Sequence, residues 1–482
     1  MYIGIDIGTS EVKALLLGPE QRVIGSAGSA LSVSRPHPGH SEQNPADWWA
    51  ATLAALAALR AAHPAEYAAT EAIGLSGQMH GAVLLDAQDR VLRPAILWND
   101  TRCAAECSEM MAELPALSEL GGSLAMPGFT APKLRWVARH EPEIFQRVAK
   151  VLLPKDHVRL MLTGEHVSDL SDASGTLWLD VRRRDWSDEL LALTGLSRAH
   201  MPRLVEGSEA SGQLKADVAQ ALGLRPGTVV AGGAGDNAAS AVGMGAVEAG
   251  QGFLSLGTSG VLFVVTPDYQ PNAASATHAF CHAVPGRWHQ MSVMLSAASA
   301  LQWVSDLLGA ANAGEVATRA TSLSPQDRTA SPLFLPYLSG ERTPHNDANV
   351  RGSFHGLDFD TDAARLGYAV MEGVSFGLLD GLAALHAAGS SVSRLSLVGG
   401  GARSPFWAQM LASALDVEIV THGGSAVGGA LGAARLGALS VGAPMASVCL
   451  PPPVDTVYCP DPAERALLAP RHELFRSLYR RP

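Results

Sequence analysis

Apolar residues crowd Tyr2–Ile7 and Val12–Leu17 on either side of Gly8-Thr9-Ser10-Glu11. This pattern predicts two strands joined by a tight turn. It returns at Gly252–Val265, where Gly257-Thr258-Ser259 separates two more apolar arms. Between the two hairpins, short apolar runs at Ala72–Ser76 and Val229–Ala231 read as buried strands. Asn44-Pro45-Ala46-Asp47 opens a helix running to about Ala62, and residues 102–165 read as mostly helical. Ser168–Leu179 reads as polar and turn-rich. After the second hairpin, the pattern predicts helices at Ala298–Leu308, Ala363–Ala388 and Ala426–Leu439, and strands at Arg394–Val398 and Glu418–Val420. Strands alternating with helices indicate an α/β protein. A hairpin at the start of each half indicates two lobes of one architecture facing a central cleft. Gly245–Gly252 is the boundary, giving an N-terminal lobe over 1–245 and a C-terminal lobe over 246–455. A basic helical tail over 456–482 is expected to pack back on the N-terminal lobe.

A length of 482 residues exceeds one core, and 47% apolar with 17% charged residues is a globular composition. The formal net charge of −11 argues against a nucleic-acid surface. None of the five lysines (Lys13, Lys133, Lys150, Lys155, Lys215) precedes Ser or Thr, which excludes a Walker-type phosphate loop. Five cysteines without a paired pattern fit a reducing cytoplasm. No signal peptide and no membrane span is predicted.

Two Gly-Thr-Ser turns suit a chain of phosphates, because glycine admits close approach and the turn offers N–H and hydroxyl donors. Asp6, on an otherwise apolar strand, needs a partner to offset its burial. Gly232-Gly233-Ala234-Gly235-Asp236-Asn237 follows a buried strand and opens a helix. A carboxylate there is stabilised as the anion and is available as a base, although a plain helix cap reads the same way. Gly399-Gly400-Gly401-Ala402-Arg403-Ser404 is a second strand-to-helix turn on which a ribose or flat ring could lie. Gly423-Gly424 and Gly428-Gly429 add a small-residue surface. Gln78-Met79-His80 ends a strand, where α/β sheets place ligand contacts. His278, Cys281 and His282 superficially resemble metal ligands but lack a second cluster, so no zinc is expected. Asp169 and Asp172 read as structural or substrate-contacting.

Longer motifs carry a resemblance. They include Gly4-Ile5-Asp6-Ile7-Gly8-Thr9-Ser10, Ser76-Gly77-Gln78-Met79-His80-Gly81, Trp98-Asn99-Asp100-x-Arg102, Gly235-Asp236-Asn237, Ser255-Leu256-Gly257-Thr258-Ser259-Gly260, Leu338-Ser339-Gly340-Glu341-Arg342-Thr343-Pro344 and Gly399–Ser404. The chain resembles the FGGY family of carbohydrate kinases, and within it the bacterial kinases of D-xylulose. The resemblance implies two ribonuclease-H-like lobes of the actin and hexokinase type, ATP and Mg²⁺ as cofactors, and phosphorylation of D-xylulose at its 5-hydroxyl. It implies Asp236 as general base and Asp6 as its catalytic partner, both near Mg²⁺. Met79, His80, Asp236 and Asn237 would meet the sugar. Gly8, Thr9, Ser10, Lys13, Gly257, Thr258, Gly400, Gly401 and Arg403 would meet the nucleotide. A homodimer is compatible with the resemblance. Glu11 and Arg365 depart from the family pattern. Another ketopentose, a pentitol or a sugar acid is the alternative substrate, and a non-catalytic actin-like sugar sensor is the alternative class.

Overall fold

In the computed structural model, which describes residues 1–423 and 428–479, each predicted hairpin lies at the centre of its own seven-stranded sheet. Gly424, Ala426 and the end of the basic tail lie outside the described residues. In the first sheet β1 (Tyr2–Ile7), β2 (Glu11–Leu17) and β3 (Val23–Ala30) are antiparallel neighbours. On its other side β1 runs parallel to β4 (Ala72–Gly77), and β4 runs parallel to β5 (Val229–Ala231). In the second sheet β6 (Gly252–Leu256), β7 (Gly260–Thr266) and β8 (Trp288–Met294) are again antiparallel, and β6, β9 (Arg394–Val398) and β10 (Glu418–His422) are parallel. The order β3-β2-β1-β4-β5 is thus repeated as β8-β7-β6-β9-β10. Two lobes of ribonuclease-H-like topology are what the sequence predicts.

Hydrophobic burial drives each sheet. Ile3, Ile5 and Ile7 on β1 are fully buried, as are Ile73 and Leu75 on β4. At about 1.5–3 kcal/mol for each buried aliphatic side chain, these strands cannot leave the core cheaply. The 25-residue helix Ala363–Ala387 is long and apolar enough to cross a membrane, but 89% of its apolar window is buried in the core of the second lobe.

Two chain segments lie where the sequence reading does not put them. The tail helix Pro462–Leu478 packs on the C-terminal lobe, against Pro405–Leu415 and Leu333–Leu335, not on the N-terminal lobe. Leu468 and Phe475 enter that core, and Arg471 clamps the buried Glu372 through two 2.6 Å bonds. The segment that crosses over is a different one. Helix Gly429–Ser440, read as part of the C-terminal lobe, packs on β1 and β4 and against helix Asp236–Gly243. Its contacts are backbone to backbone: a methyl group at Gly74 would lie 1.7 Å from the Ala433 carbonyl oxygen, and one at Gly432 equally close to that of Ala239.

The polar, turn-rich stretch Ser168–Leu179 is buried and carries regular structure besides its turn at 175–177. Residues 167–174 form a strand (Val167–Asp169) and a short helix (Leu170–Ser174), all buried. The polarity is explained by Lys155, whose Nζ lies 2.6 Å from Asp156, 2.7 Å from Asp169 and 3.1 Å from Asp172. Arg159 also pairs with Asp156 at 3.4 Å, and burial pushes Asp172 well above the usual carboxylate range, so two cations answer the two carboxyls that stay ionised, as burial of charge requires.

Candidate active site

Parallel pairing sets Asp6 beside Ser76 and Ile7 beside Gly77. On the other side of β4, the short strand Ala234–Gly235 lies opposite Ser76 and Gly77, and a helix begins at the next residue, Asp236. Three adjacent strand ends therefore bring Asp6, Ser76 and Asp236 together. Burial raises Asp236 to about 6, and the neighbouring Asp6 carboxylate adds to the rise. Two bonds from Asn237, its N–H at 2.7 Å and Nδ2 at 3.0 Å, pull the other way. Burial also raises Asp6, against the opposing effects of Ser76 and of Lys13, its cross-strand partner. Asp6 Oδ1 is buried without a hydrogen-bond partner. Gly429, at the start of the crossing helix, closes the floor: a methyl group there would lie 2.7 Å from Ser76 Oγ and 2.9 Å from Asp6 Oδ1.

Two close carboxylates, both shifted toward protonation and one with an orphaned oxygen, fit a hard divalent cation. His278, Cys281 and His282 do not gather as ligands. His278 Nδ1 meets Ser123 Oγ at 2.9 Å, His282 Nε2 meets the Ala246 carbonyl at 3.0 Å, and Cys281 Sγ points to the Val181 carbonyl.

The residues expected to meet the sugar begin next to Asp236. Met79 packs so closely on Gly235 that a methyl group there would lie 2.8 Å from its sulfur. His80 follows with φ of 70°, a left-handed conformation costly for a non-glycine residue. It is held there from both ends. Its carbonyl accepts from Lys133 Nζ at 2.8 Å and Thr130 Oγ1 at 3.2 Å, and its Nδ1 lies 2.7 Å from the Gly175 carbonyl. A carbonyl only accepts, so Nδ1 carries the proton and Nε2 is left as an acceptor. Burial lowers His80 to about 3, so the ring is neutral. Lys133, which holds the His80 carbonyl, and Ser76, which lies beside Asp6, are site neighbours the sequence reading did not single out. Lys133 lies three residues after Thr130, so one helix turn delivers both donors to the His80 carbonyl.

The two Gly-Thr-Ser turns differ from expectation in one respect. The Thr9 hydroxyl is not free: it donates to Gln78 Oε1 and accepts from Trp98 Nε1, both at 3.0 Å. Gln43 holds the Thr9 carbonyl at 2.8 Å and accepts from Gln78. Thr9 therefore shapes the turn, and the exposed Ser10 keeps its hydroxyl available. Glu11 leans on Gly28 of β3, and Arg365 pairs with Asp327 at 3.0 Å. In the C-terminal lobe the Gly257 and Thr258 carbonyls accept from Ala298 and Ala297, at 2.8 and 2.9 Å. Gly399 sits on the backbone of Leu256 and Gly257. Gly400, Gly401 and Arg403 then line a cavity of about 710 Å³ with Gln302, Asn312 and Trp407. That volume suits a nucleoside.

Ser171 ties this site to the buried charge cluster. Its hydroxyl bonds to Asp169 and accepts from the Gly235 N–H at 3.2 Å, one residue before Asp236. Ser171→Ala removes that acceptor, so kcat is expected to fall about tenfold with the sugar KM changed less than threefold. Steady-state kinetics read this split, and an unchanged kcat would show that Ser171 does not position Asp236.

The sequence matches the N-terminal domain of the FGGY family of carbohydrate kinases over residues 1–243 and its C-terminal domain over residues 252–441. A xylulose kinase of Escherichia coli is 52% identical, with 99% of this chain and 98% of that protein covered. A crystal structure of a xyloylose kinase from Brucella ovis superposes with a TM-score of 0.96 at 53% identity, covering 99% and 98% of the two chains. A gluconate kinase from Lactobacillus acidophilus gives 0.91 at 25% identity, over 99% and 96%. With both domains matched in order and carboxylates, turns and cavity in place, the chain belongs to the FGGY family of carbohydrate kinases.

Proposed function

We propose that this chain transfers the γ-phosphoryl group of ATP to the 5-hydroxyl of D-xylulose, giving D-xylulose 5-phosphate and ADP. The observation that carries the chemistry is Asp236: a half-buried carboxylate raised to about 6, at a strand end, next to Gly235, on which Met79 packs, and close to Asp6. A base poised close to working pH is matched to proton abstraction from a hydroxyl. The full-length likeness to xylulose kinases supports the choice of sugar.

In this reading Asp236 accepts the 5-hydroxyl proton as that oxygen forms its bond to the γ-phosphorus and the bond to the β–γ bridging oxygen breaks. Asn237 fixes the carboxylate orientation, and Met79 and His80 set the sugar's reach. Asp6 and Asp236 are the residues that would hold Mg²⁺, which when bound neutralises phosphate charge. Ser10, Gly257 and Thr258 face the phosphates, and Gly400, Gly401 and Arg403 the adenosine. Phosphoryl transfer depends on such positioning and charge neutralisation. Residues 1–245 and 246–455 form the two working lobes, and five free cysteines suit a cytoplasmic enzyme.

The test is ATP consumption with Mg²⁺ across D-xylulose, L-xylulose, D-ribulose, L-ribulose, xylitol, glycerol and gluconate. We expect kcat/KM to be highest for D-xylulose. A clear preference for gluconate or another sugar would refute the substrate, and no turnover by folded protein would favour the sensor reading.

A further inference from the structure

Arg342 belongs to the C-terminal lobe, in a loop whose neighbouring residues are pinned on both sides. Glu341 Oε1 accepts from the Leu295 N–H at 3.0 Å and the Arg342 N–H at 2.7 Å. Thr343 exchanges bonds with Val293 and donates to the Ala276 carbonyl at 2.9 Å, two residues before His278. Yet among the described residues the Arg342 guanidinium has no ion pair and no hydrogen-bond acceptor, although it is half-buried. That is an uncommon state for a group with five donors. Its charge acts on His80 and His278, lowering both. These two rings flank Phe129, at centroid distances of 4.4 and 5.7 Å.

The order along the proposed sugar site follows from contacts already described. Asp236 adjoins Gly235, Gly235 touches Met79, and Met79 and His80 share the Gly175 wall. The His80–Phe129–His278 face is therefore the end of the pocket away from Asp236. With the 5-hydroxyl at Asp236, that distal end receives C1 and C2 of a ketose. Its polar groups are the acceptor His80 Nε2, the donor-only Arg342 guanidinium, and the His278 ring, whose Nδ1 is already bonded to Ser123 Oγ. An α-hydroxyketone is the complement: its hydroxyl donates and its carbonyl oxygen only accepts.

We infer that Arg342 donates to the C2 carbonyl oxygen of the substrate and selects a ketose over the alditol that lacks the carbonyl. This inference rests on the proposed function for the sugar's orientation. It makes the C-terminal lobe part of the sugar site, where sequence reasoning found only N-terminal residues.

The test compares wild type, Arg342→Met and Arg342→Lys by calorimetric titration with D-xylulose and with xylitol, its C2-reduced counterpart, alongside the KM for ATP and a thermal melt. Arg342→Met is expected to weaken D-xylulose binding by about tenfold to a hundredfold, the range for a hydrogen bond to a charged group. Xylitol binding should change less than threefold, ATP less than twofold, and Arg342→Lys should recover part of the loss. Equal losses for both ligands, an unchanged D-xylulose affinity, or a loss borne by ATP would each overturn the inference. The wild-type substrate panel reports separately on the proposed function. If another ketose is preferred, that ketose and its own alditol give the same ratio and decide the inference. If wild type binds no ketose better than its alditol, the inference fails whatever the variants do.

Discussion

Asp236→Asn is expected to lower kcat by about 10³–10⁴-fold while leaving the sugar dissociation constant within about threefold, because the amide keeps the shape of the carboxylate but cannot accept the proton. The wild-type pH profile carries the same signature. With Asp236 near 6, kcat/KM should fall about tenfold per pH unit below that value, as the base becomes protonated. The residual activity of Asp236→Asn should lose that limb. Stability moves in the opposite direction to activity. The folded protein holds the Asp236 proton more tightly than the unfolded chain, so ionisation disfavours the fold progressively from about 4 to about 6 and fully above it. Asp236→Asn should therefore melt higher than wild type at pH 7.5, with the difference vanishing near pH 4. Near-normal turnover in this variant would remove Asp236 as the base, and a lower melting temperature at pH 7.5 would contradict the strained-carboxylate account.

Gly74→Ala should unfold the protein far more easily than an ordinary glycine substitution. The added methyl group would meet the Ala433 carbonyl oxygen at 1.7 Å and the Gly437 nitrogen at 3.0 Å, both backbone atoms of the crossing helix. No rotamer change relieves a clash with main chain, so the helix must move off β1 and β4. Overpacking typically costs about 1–3 kcal/mol, and a collision with backbone lies at or beyond the upper end. The helix is also held on an adjacent face, where Gly432 lies against the Ala239 carbonyl. Displacing it also lifts Gly429 from Asp6, so kcat should fall together with the melting temperature. Gly423→Ala, where a methyl group meets nothing within 4 Å, is the control and should be nearly neutral. A Gly74→Ala melt within about 2 °C of wild type would mean that the helix does not pack on this strand as described.

Both predictions turn on the same distinction between local and long-range information. The two hairpins, the strand leading to Asp236 and the long helix at Ala363–Ala387 were legible because apolar periodicity and turn residues act over a few neighbours. The Gly-Asp-Asn step and the Gly-Thr-Ser turns were legible for the same reason, since each is a short motif whose chemistry is set by its own backbone. The burial of Ser168–Leu179 was not legible, because its polar residues are answered by Lys155, whose proximity is not written in the local pattern. The tail was placed on the wrong lobe because an amphipathic helix declares that it has an apolar face, not what covers it.

The sequence by itself determined the two-lobed α/β architecture and singled out Asp6, Asp236, the two Gly-Thr-Ser turns and the Met79-His80 strand end as candidates. Only the tertiary structure decided that Gly429–Ser440 returns to floor the Asp6 site, that Thr9 is committed to Gln78 and Trp98, and that the loop carrying Arg342 is bonded to Val293, Leu295 and Ala276. Each of these joins residues tens to hundreds of positions apart. Such contacts are fixed by the packing of whole sheets and helices, which no local stretch of sequence encodes.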